Sequence, residues 1–417
     1  MTTELSLFNT EPIAPMLVGL NTNEPAPKVC LSFGLGTDSS AVLLRWLTDP
    51  ASRDFDLADL AVVVAQTGDE RASTGADVEE LVLPLLREHR VRFIEVARAG
   101  RYVTKNGGGV KVLADTRDPQ RLHLSGGYTL SQEMHSAGTV PQLGGSRLCS
   151  VNSKGSCLDA VISAITQGRP YRHVLGFEAN ELIRADKDTK HNTELRTGEY
   201  PLIEWGWDRD ACMDFITATV GRPILKSCCT FCPFALASRR GRAAMMDRYA
   251  EVPEEAVDAL FMEYVAQALN ANQTLISESS LYDELAASGR HQHVLAAFDA
   301  RLDQTPHALY EVRRILRPKA NDPTKLANAA RSVRRLATGT RTAMLEALAD
   351  HADGAVHVED DGPHTRIYRR RRGATLPTTE QLYTVAPAVA IDKELESFPR
   401  WWAEAVAPDA GVLALHP

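Results

Sequence analysis

The chain has 417 residues, 44% of them hydrophobic, with 46 Lys and Arg against 54 Asp and Glu for a net charge of −8. That length and apolar content can bury a large core, and no run reaches eighteen apolar residues, which excludes a helix long enough to span a bilayer. Seven cysteines, an odd number in a chain whose start lacks a basic-then-apolar signal pattern, argue against a disulfide framework. They fit thiols or metal ligands in a reducing, cytoplasmic setting. Residues 1–27, with Pro12, Pro15, Pro25 and Pro27, read as an N-terminal arm.

In chain order, Val29-Cys30-Leu31-Ser32-Phe33 is a short apolar strand. It runs into Gly34-Leu35-Gly36-Thr37-Asp38-Ser39-Ser40 and then into an amphipathic helix. Two glycines let the backbone approach an anion, and hydroxyls on Thr37, Ser39 and Ser40 sit where unpaired N–H groups of a helix start point outward. The Walker loop is excluded because no lysine follows Gly36, and the dinucleotide fingerprint fails at Ser39, where it needs a third glycine. Leu60 to Ala65 is an uninterrupted apolar run, fit for a strand buried on both faces, and it empties into Gln66-Thr67-Gly68-Asp69-Glu70. A helix over about 75–88 and a strand over 91–96 come next. Strand, helix, strand, helix, strand predicts a parallel twisted sheet flanked by helices, with ligands beyond the carboxyl ends of its strands. The Gly- and Ser-rich stretch from Gly107 to Gly145 reads as a mobile flap.

The glycine loop resembles the PP-loop, S-G-G-x-D-S, of ATP pyrophosphatases and the phosphoadenosine phosphosulfate (PAPS) reductase-like family. Gly36, Asp38 and Ser39 align directly. Gly34 falls on the first serine and Leu35 on the first glycine, with Ser32 as the alternative hydroxyl. Further segments carry the resemblance through residues 28–270. Arg147-Leu148-Cys149-Ser150 with Lys154 is similar to the family's R-x-C-T/S…K element, and Thr67-Gly68-Asp69-Glu70 to its second nucleotide segment. Gly176 to Arg184, with Glu181, is similar to its third nucleotide segment, after the strand His173-Val174-Leu175. Tyr200-Pro201-Leu202-Ile203, Arg209-Asp210-Ala211-Cys212 and Ser227-Cys228-Cys229-Thr230-Phe231-Cys232-Pro233-Phe234 match a branch with S-x-C-x-x-C-P-F.

The resemblance implies an ATP or related adenine-nucleotide site with Mg2+. Binding would come from Ser32, Gly34, Gly36, Thr37, Asp38, Ser39, Ser40, Thr67, Gly68, Asp69, Gly176 and Glu181. Asp38 would orient the loop or the metal, and Lys154 and Arg184 would stabilise charge during attack on the α-phosphorus. Such chemistry gives an adenylated intermediate and pyrophosphate, followed in sulfur-inserting members by sulfur transfer with a donor protein. The C-x-x-C spacing of Cys229 and Cys232 lets two thiolates reach one metal. With Cys149 and Cys212 they make a candidate all-thiolate set for a [4Fe-4S] cluster or Zn2+, in which Cys157 or Cys228 could replace Cys149 or Cys212; Cys30 reads as core. A sulfonucleotide reductase is the alternative. Its family carries a nucleophilic cysteine near the carboxyl terminus, whereas the last cysteine here is Cys232.

Beyond residue 240 the pattern predicts a mainly helical region, 241–417. It has amphipathic helices over Pro253–Asn270 and Leu281–Phe298, a hairpin over 351–372, and a terminal helix packed through Trp401 and Trp402. Between His307 and Arg372 fourteen Lys and Arg face eight Asp and Glu. The clusters within 313–335 and 369–372 are candidate nucleic-acid contacts, with a charged strand edge or solvated helix face as the plainer reading. A nucleic-acid-binding module with a degenerate nucleotide pocket is the corresponding non-enzymatic hypothesis.

Overall fold

The computed structural model describes residues 17–143, 147–277, 279–319, 321–327 and 329–407. The chain divides into two compact units, one of Met1–Ser131 with Gly144–Thr230 and the other of Gln132–Leu143 with Phe231–Pro417.

The first unit is built on a six-stranded sheet. Its strands are β1 (Val29–Ser32), β2 (Leu60–Gln66), β3 (Arg92–Arg98), β4 (Val110–Thr116), β5 (Tyr171–Leu175) and β6 (Arg196–Glu199), in the order β4-β3-β2-β1-β5-β6. All pairings are parallel except the edge strand β4, which runs antiparallel to β3. Every residue of β2 is buried, as an apolar run without alternation requires when helices cover both faces.

One face packs on α1 (Thr37–Thr48), α2 (Ala72–Leu81), α3 (Leu83–Glu88) and, farther along, the helix Arg209–Val220, through Leu31, Val62, Leu43, Trp46, Val78, Leu86 and Ile216. The other face packs on the helix Ser156–Thr166 through Cys30, Ala61, Val63, Ile94, Cys157 and Val161. Cys30 is core as expected. The chain fills the sheet from β1 outward to β4 and then jumps back to β5 on the other side of β1. That reversal opens a crevice at the carboxyl ends of β1 and β5.

Several local expectations change. The helix over 75–88 is two helices, interrupted at Val82 just before Pro84. The stretch 107–145 is no flap over its described residues, because it contains β4 and α4 (Leu130–Ala137). A buried ion pair, Arg92 to Asp115 at 2.7 Å, ties β4 to β3. Of the expected N-terminal arm, residues 1–16 lie outside the described residues, and the remainder is docked on the first unit. Leu17 is buried in the core, Asn21 N–H donates to Asp115, and Glu24 pairs with Arg117.

The second unit corrects the expectation of a mainly helical region. Its centre is a five-stranded antiparallel sheet of β7 (His307–Leu316), β10 (Ala330–Gly339), β11 (His357–Asp361), β12 (His364–Arg370) and β13 (Thr378–Pro387). The short hairpin β8 (Pro318–Lys319) and β9 (Asp322–Leu326) stands apart from it. The expected hairpin is present as β11 and β12. Helices are α5 (Arg239–Glu251), α6 (Pro253–Leu269), α7 (Leu281–Ser288), α8 (Gln292–Gln304), α9 (Arg341–Ala349) and α10 (Phe398–Val406). The single helix expected over 281–298 breaks at Gly289, which caps α7 in the left-handed conformation. Trp402 stacks on Phe398 and Trp401 packs on the same cluster, as anticipated for the terminal helix.

The sheet was hidden because its strands bury arginines. Arg314 lies opposite Glu380 in register, pairs with it, and donates to the Leu269 carbonyl. Arg331 donates to the carbonyls of Ala137 and Gly138. Charged side chains satisfied inside a sheet erase the apolar alternation by which a strand is read.

His364, at the start of β12, is buried against Tyr264, and neither ring nitrogen has a partner among the described residues. Burial, reinforced by Arg366 and Arg341, lowers its pKa to about 3. An unfolded histidine titrates near 6.5, so the stability held by the neutral ring is whole above pH 6.5. It falls as pH drops toward 3, at up to about 1.4 kcal/mol per pH unit. We expect His364→Phe to match or exceed the parent at pH 7 and to lose part of the decline between pH 7 and 4.5. Urea unfolding at both values checks this, and an undiminished decline would refute it.

Candidate functional site

Three adjacent parallel strands of the first unit end at Ser32, Gln66 and Leu175, β1 and β5 in register and β2 running past them from Val63 to Gln66, and the segments leaving them converge. The loop from β1 to α1 is tight. Gly34 N–H donates to Ser39 Oγ at 3.0 Å, and Ser40 N–H closes the first helical turn on the Gly36 carbonyl at 3.0 Å. Leu35 adopts φ 64°, a left-handed conformation that favours glycine, and its side chain is buried in the core. A leucine thus holds a glycine-type backbone by its packing.

Two glycines have no room for a side chain. A Cβ on Gly36 would lie 2.7 Å from Ser227 N, and one on Gly176 would lie 2.9 Å from Ser39 N. The glycine loop, the segment after β5 and the 227–230 segment therefore touch backbone to backbone. Gly68, at φ 85°, turns the chain after β2, where a Cβ would strike Thr129. Beside it the Thr67 hydroxyl lies 3.3 Å from Cys229 Sγ, Asp69 accepts from Ser131 N–H, and Glu70 bridges to Cys229 through the backbone. Ser227 Oγ donates to Glu70 Oε2 at 2.9 Å, and Lys154 Nζ is 3.8 Å from the same oxygen. Glu70 Oε1 is buried and has no partner among the described residues. Lys154 rides on a π-helical turn, Val151–Gly155, a distortion that re-aims side chains and recurs at functional sites.

The expected hydroxyl donors divide. Thr37 is buried and gives its proton to the Ile224 carbonyl at 2.7 Å, so it has none left for an anion. Ser40 is fully buried on the inner side of α1. Ser39 Oγ closes the loop on itself. Successive residues of a helix start point about 100° apart, so one turn cannot send every hydroxyl to its mouth. Ser32, at the end of β1, keeps a half-buried hydroxyl 2.7 Å from His173 Nε2.

The cation on the loop is Arg209, at the start of the helix Arg209–Val220. It grips Asp38 through two contacts of 3.2 and 2.8 Å and reaches Glu178 at 3.3 Å. Burial raises the Asp38 pKa, and the Arg209 charge opposes that shift. Arg184, expected in this role, pairs with Glu181 and lies over Phe177, whose other neighbour is the stacked ring of Tyr200. In the sequence Arg209 stands within a motif that gave it no role of its own. Glu178, Ser227 and Glu70 were missed as site residues, because their types and spacing carry no signal by themselves.

Of the four expected cysteine ligands, Cys212 does not fit the set. Cys212 is fully buried in the apolar core with Leu202, Ile216 and Ile224, and burial pushes its thiol up to about 12. Cys157 is likewise core. Cys149 is half-buried on the turn leading to Lys154, Cys229 belongs to the first unit, and Cys232 opens the short helix Pro233–Leu236 of the second. Among the described residues no three His, Cys, Asp or Glu side chains converge as a metal-holding group.

No protein-family model matches the chain, and neither does any curated protein or solved structure.

Cys212→Ala should behave as a packing change. We expect a loss of about 1 kcal/mol of stability and an unaltered metal content in protein purified without oxygen. A variant that folds but sheds iron or zinc would restore Cys212 to a ligand set.

Proposed function

We propose that the first unit binds the phosphate tail of an adenine nucleotide at the Gly34–Ser39 loop, as the resemblance to PP-loop, PAPS reductase-like proteins implies. In this reading the protein is an enzyme that adenylates an acceptor. The observation that carries it is the side-chain-free contact of Gly36 with Ser227 and of Gly176 with Ser39. It draws the first and third nucleotide segments to the mouth of a parallel sheet, where the α1 N-terminus presents backbone donors.

The β- and γ-phosphates would lie on the loop and leave the α-phosphorus exposed. An acceptor nucleophile then forms a bond to that phosphorus while the bond to the bridging oxygen breaks, and pyrophosphate departs with the electron pair. Magnesium, when bound with the nucleotide, offsets phosphate charge. Asp38 is the loop's own carboxylate, and Arg209 keeps it paired until a ligand competes. Lys154 and Arg209 are the cations placed to stabilise the leaving charge. Because Cys212 sits in the core, the reading routes no step through an iron–sulfur or zinc centre. Thiol chemistry, if it succeeds adenylation, falls to Cys229, the cysteine held beside Thr67 and Glu70.

Incubation with ATP and magnesium, with and without candidate acceptors, should release pyrophosphate. Gly36→Ala and Gly176→Ala should each weaken ATP binding at least about tenfold, because the loop must move to admit the new methyl. Sulfite release from PAPS with a thiol donor would favour the reductase instead, and failure to bind either nucleotide would defeat both.

A nucleic-acid acceptor draws support from the second unit, over a narrower surface than the sequence suggested. Arg313 pairs with Glu394, Arg314 with Glu380, Arg331 and Arg335 donate to carbonyls, Arg317 lies over Trp401, and Arg369 donates to the Asp353 carbonyl. Those charges hold the fold together. Arg371 and Arg372 are exposed, lack an acidic partner among the described residues, and line a cleft of about 370 Å³ with Asn270 and Asn272. Replacing both by alanine should weaken binding of single-stranded RNA or DNA and lower the salt slope by about 1.5. Equal affinity in parent and variant, read by fluorescence anisotropy at several salt concentrations, would remove this surface.

A further inference from the structure

Ser32, His173, Arg196 and Asp188 form a line of side chains that starts at the end of β1, just before the glycine loop, and is carried by β1, β5, β6 and the helix Leu182–Thr189. Ser32 Oγ is 2.7 Å from His173 Nε2. On the other side of the ring, Arg196 Nε donates to His173 Nδ1 at 3.0 Å. Arg196 is held in turn by Asp188, whose Oδ2 accepts from Arg196 at 2.8 Å and from the Tyr200 hydroxyl at 2.8 Å.

The order of charges decides what this line can do. In a serine–histidine–carboxylate triad the carboxylate accepts the Nδ1 proton, and Nε2 is left bare to take a proton from serine. Here a guanidinium, which is a donor only, occupies the place of that carboxylate. Nδ1 must therefore be the acceptor, the ring proton must sit on Nε2, and His173 must donate to Ser32. Burial, with the Arg196 charge second, lowers the His173 pKa to about 4, so the ring stays neutral at physiological pH. It cannot serve Ser32 as a base.

We infer that His173, fixed by Arg196 and Asp188, is a positioning residue. It occupies a lone pair of Ser32 and thereby commits the Ser32 hydroxyl to donate its proton to an anion in the Gly34–Ser39 loop. This rests on the phosphate-binding reading of that loop and adds to it the group that orders the donor. Two facts support it. The Ser32 proton has no acceptor among the described residues, its one partner being a donor. And Ser32 is half-buried while Cys30, two residues earlier on the same face, is fully buried, so the side chain stands where the strand opens to the mouth. The ligand class is an oxyanion with lone pairs to receive the bond, such as a nucleotide phosphate. An electrophile awaiting attack by serine does not fit.

The test uses the full chain and inorganic pyrophosphate, with ATP in parallel, by calorimetric titration. Ser32→Ala should weaken binding about tenfold, the range for a hydrogen bond to a charged group. His173→Phe should weaken it to a similar degree, and the double variant no further than either single, because both act through one bond. His173→Gln, whose amide can still donate to Ser32, should recover most of the loss. Additive losses, or full affinity in His173→Phe, would overturn the positioning role while leaving the loop reading intact. No pyrophosphate or ATP binding by the parent would overturn both. Should His173→Phe not fold, the imidazole nitrogen shifts of His173 in the parent decide: Nε2 protonated and Nδ1 bare is expected at pH 7, and an Nδ1–H ring or an imidazolium refutes the inference.

Discussion

The first unit depends on backbone meeting backbone at Gly36 and Gly176. Parallel strands lie about 4.8 Å apart, and the chain leaving β1 must turn into α1 while the chain leaving β5 passes beside it. With any side chain at Gly176 the Ser39 amide would have to move, and with any at Gly36 the Ser227 amide would. Conformational freedom is secondary at these two positions. What matters is the missing atom, which lets three segments distant in sequence share one mouth. The hydrogen bond from Gly34 to Ser39 then fixes the loop from within.

Two cations at that mouth face three carboxylates. Arg209 neutralises Asp38 and touches Glu178, while Lys154 stands near the half-satisfied carboxylate of Glu70. Buried or half-buried carboxylates are costly unless paired. Each cation here therefore has a structural duty, and on the proposed reading a phosphate competing for Arg209 would take that duty over and release Asp38. Arg184 has a different duty. Its pairing with Glu181 and its place over Phe177, a ring that also stacks with Tyr200, order the segment after Gly176.

The parallel sheet, the glycine turns and their meeting point were legible in the sequence because each has a local cause. An uninterrupted apolar run at Leu60–Ala65 can only be a strand covered on both sides or a buried helix, and the turn residues after it decide for the strand. The arginine-bearing strands β7 and β10 were not legible. Their charges are satisfied by partners such as Glu380, Glu394 and the Ala137 carbonyl, which lie far away in sequence. Cysteine placement misled for a related reason. Cys212 has the residue type and motif context of a ligand, but it falls on the inner side of its helix with Ile216, one turn on. Thr37 and Ser40 are hydroxyls at a helix start, yet their position on the helix turns them inward.

That inward turn bears on how the loop can hold an anion. With Thr37 giving its proton to the Ile224 carbonyl, Ser40 enclosed, and Ser39 used to close the loop, the glycine turn has few side-chain donors of its own. Backbone N–H groups at a helix start supply direction but little discrimination between a phosphate and any other anion. A hydroxyl from the preceding strand adds a donor at a second angle. It can do so only if something prevents it from spending its proton on a neighbouring acceptor. A neutral histidine in the ordinary triad arrangement would be such an acceptor. The guanidinium of Arg196, standing where a triad has its carboxylate, reverses the ring, and on the proposed reading it leaves the serine as a donor. The charge placed next to the ring is what would separate anion binding from covalent catalysis in such a line.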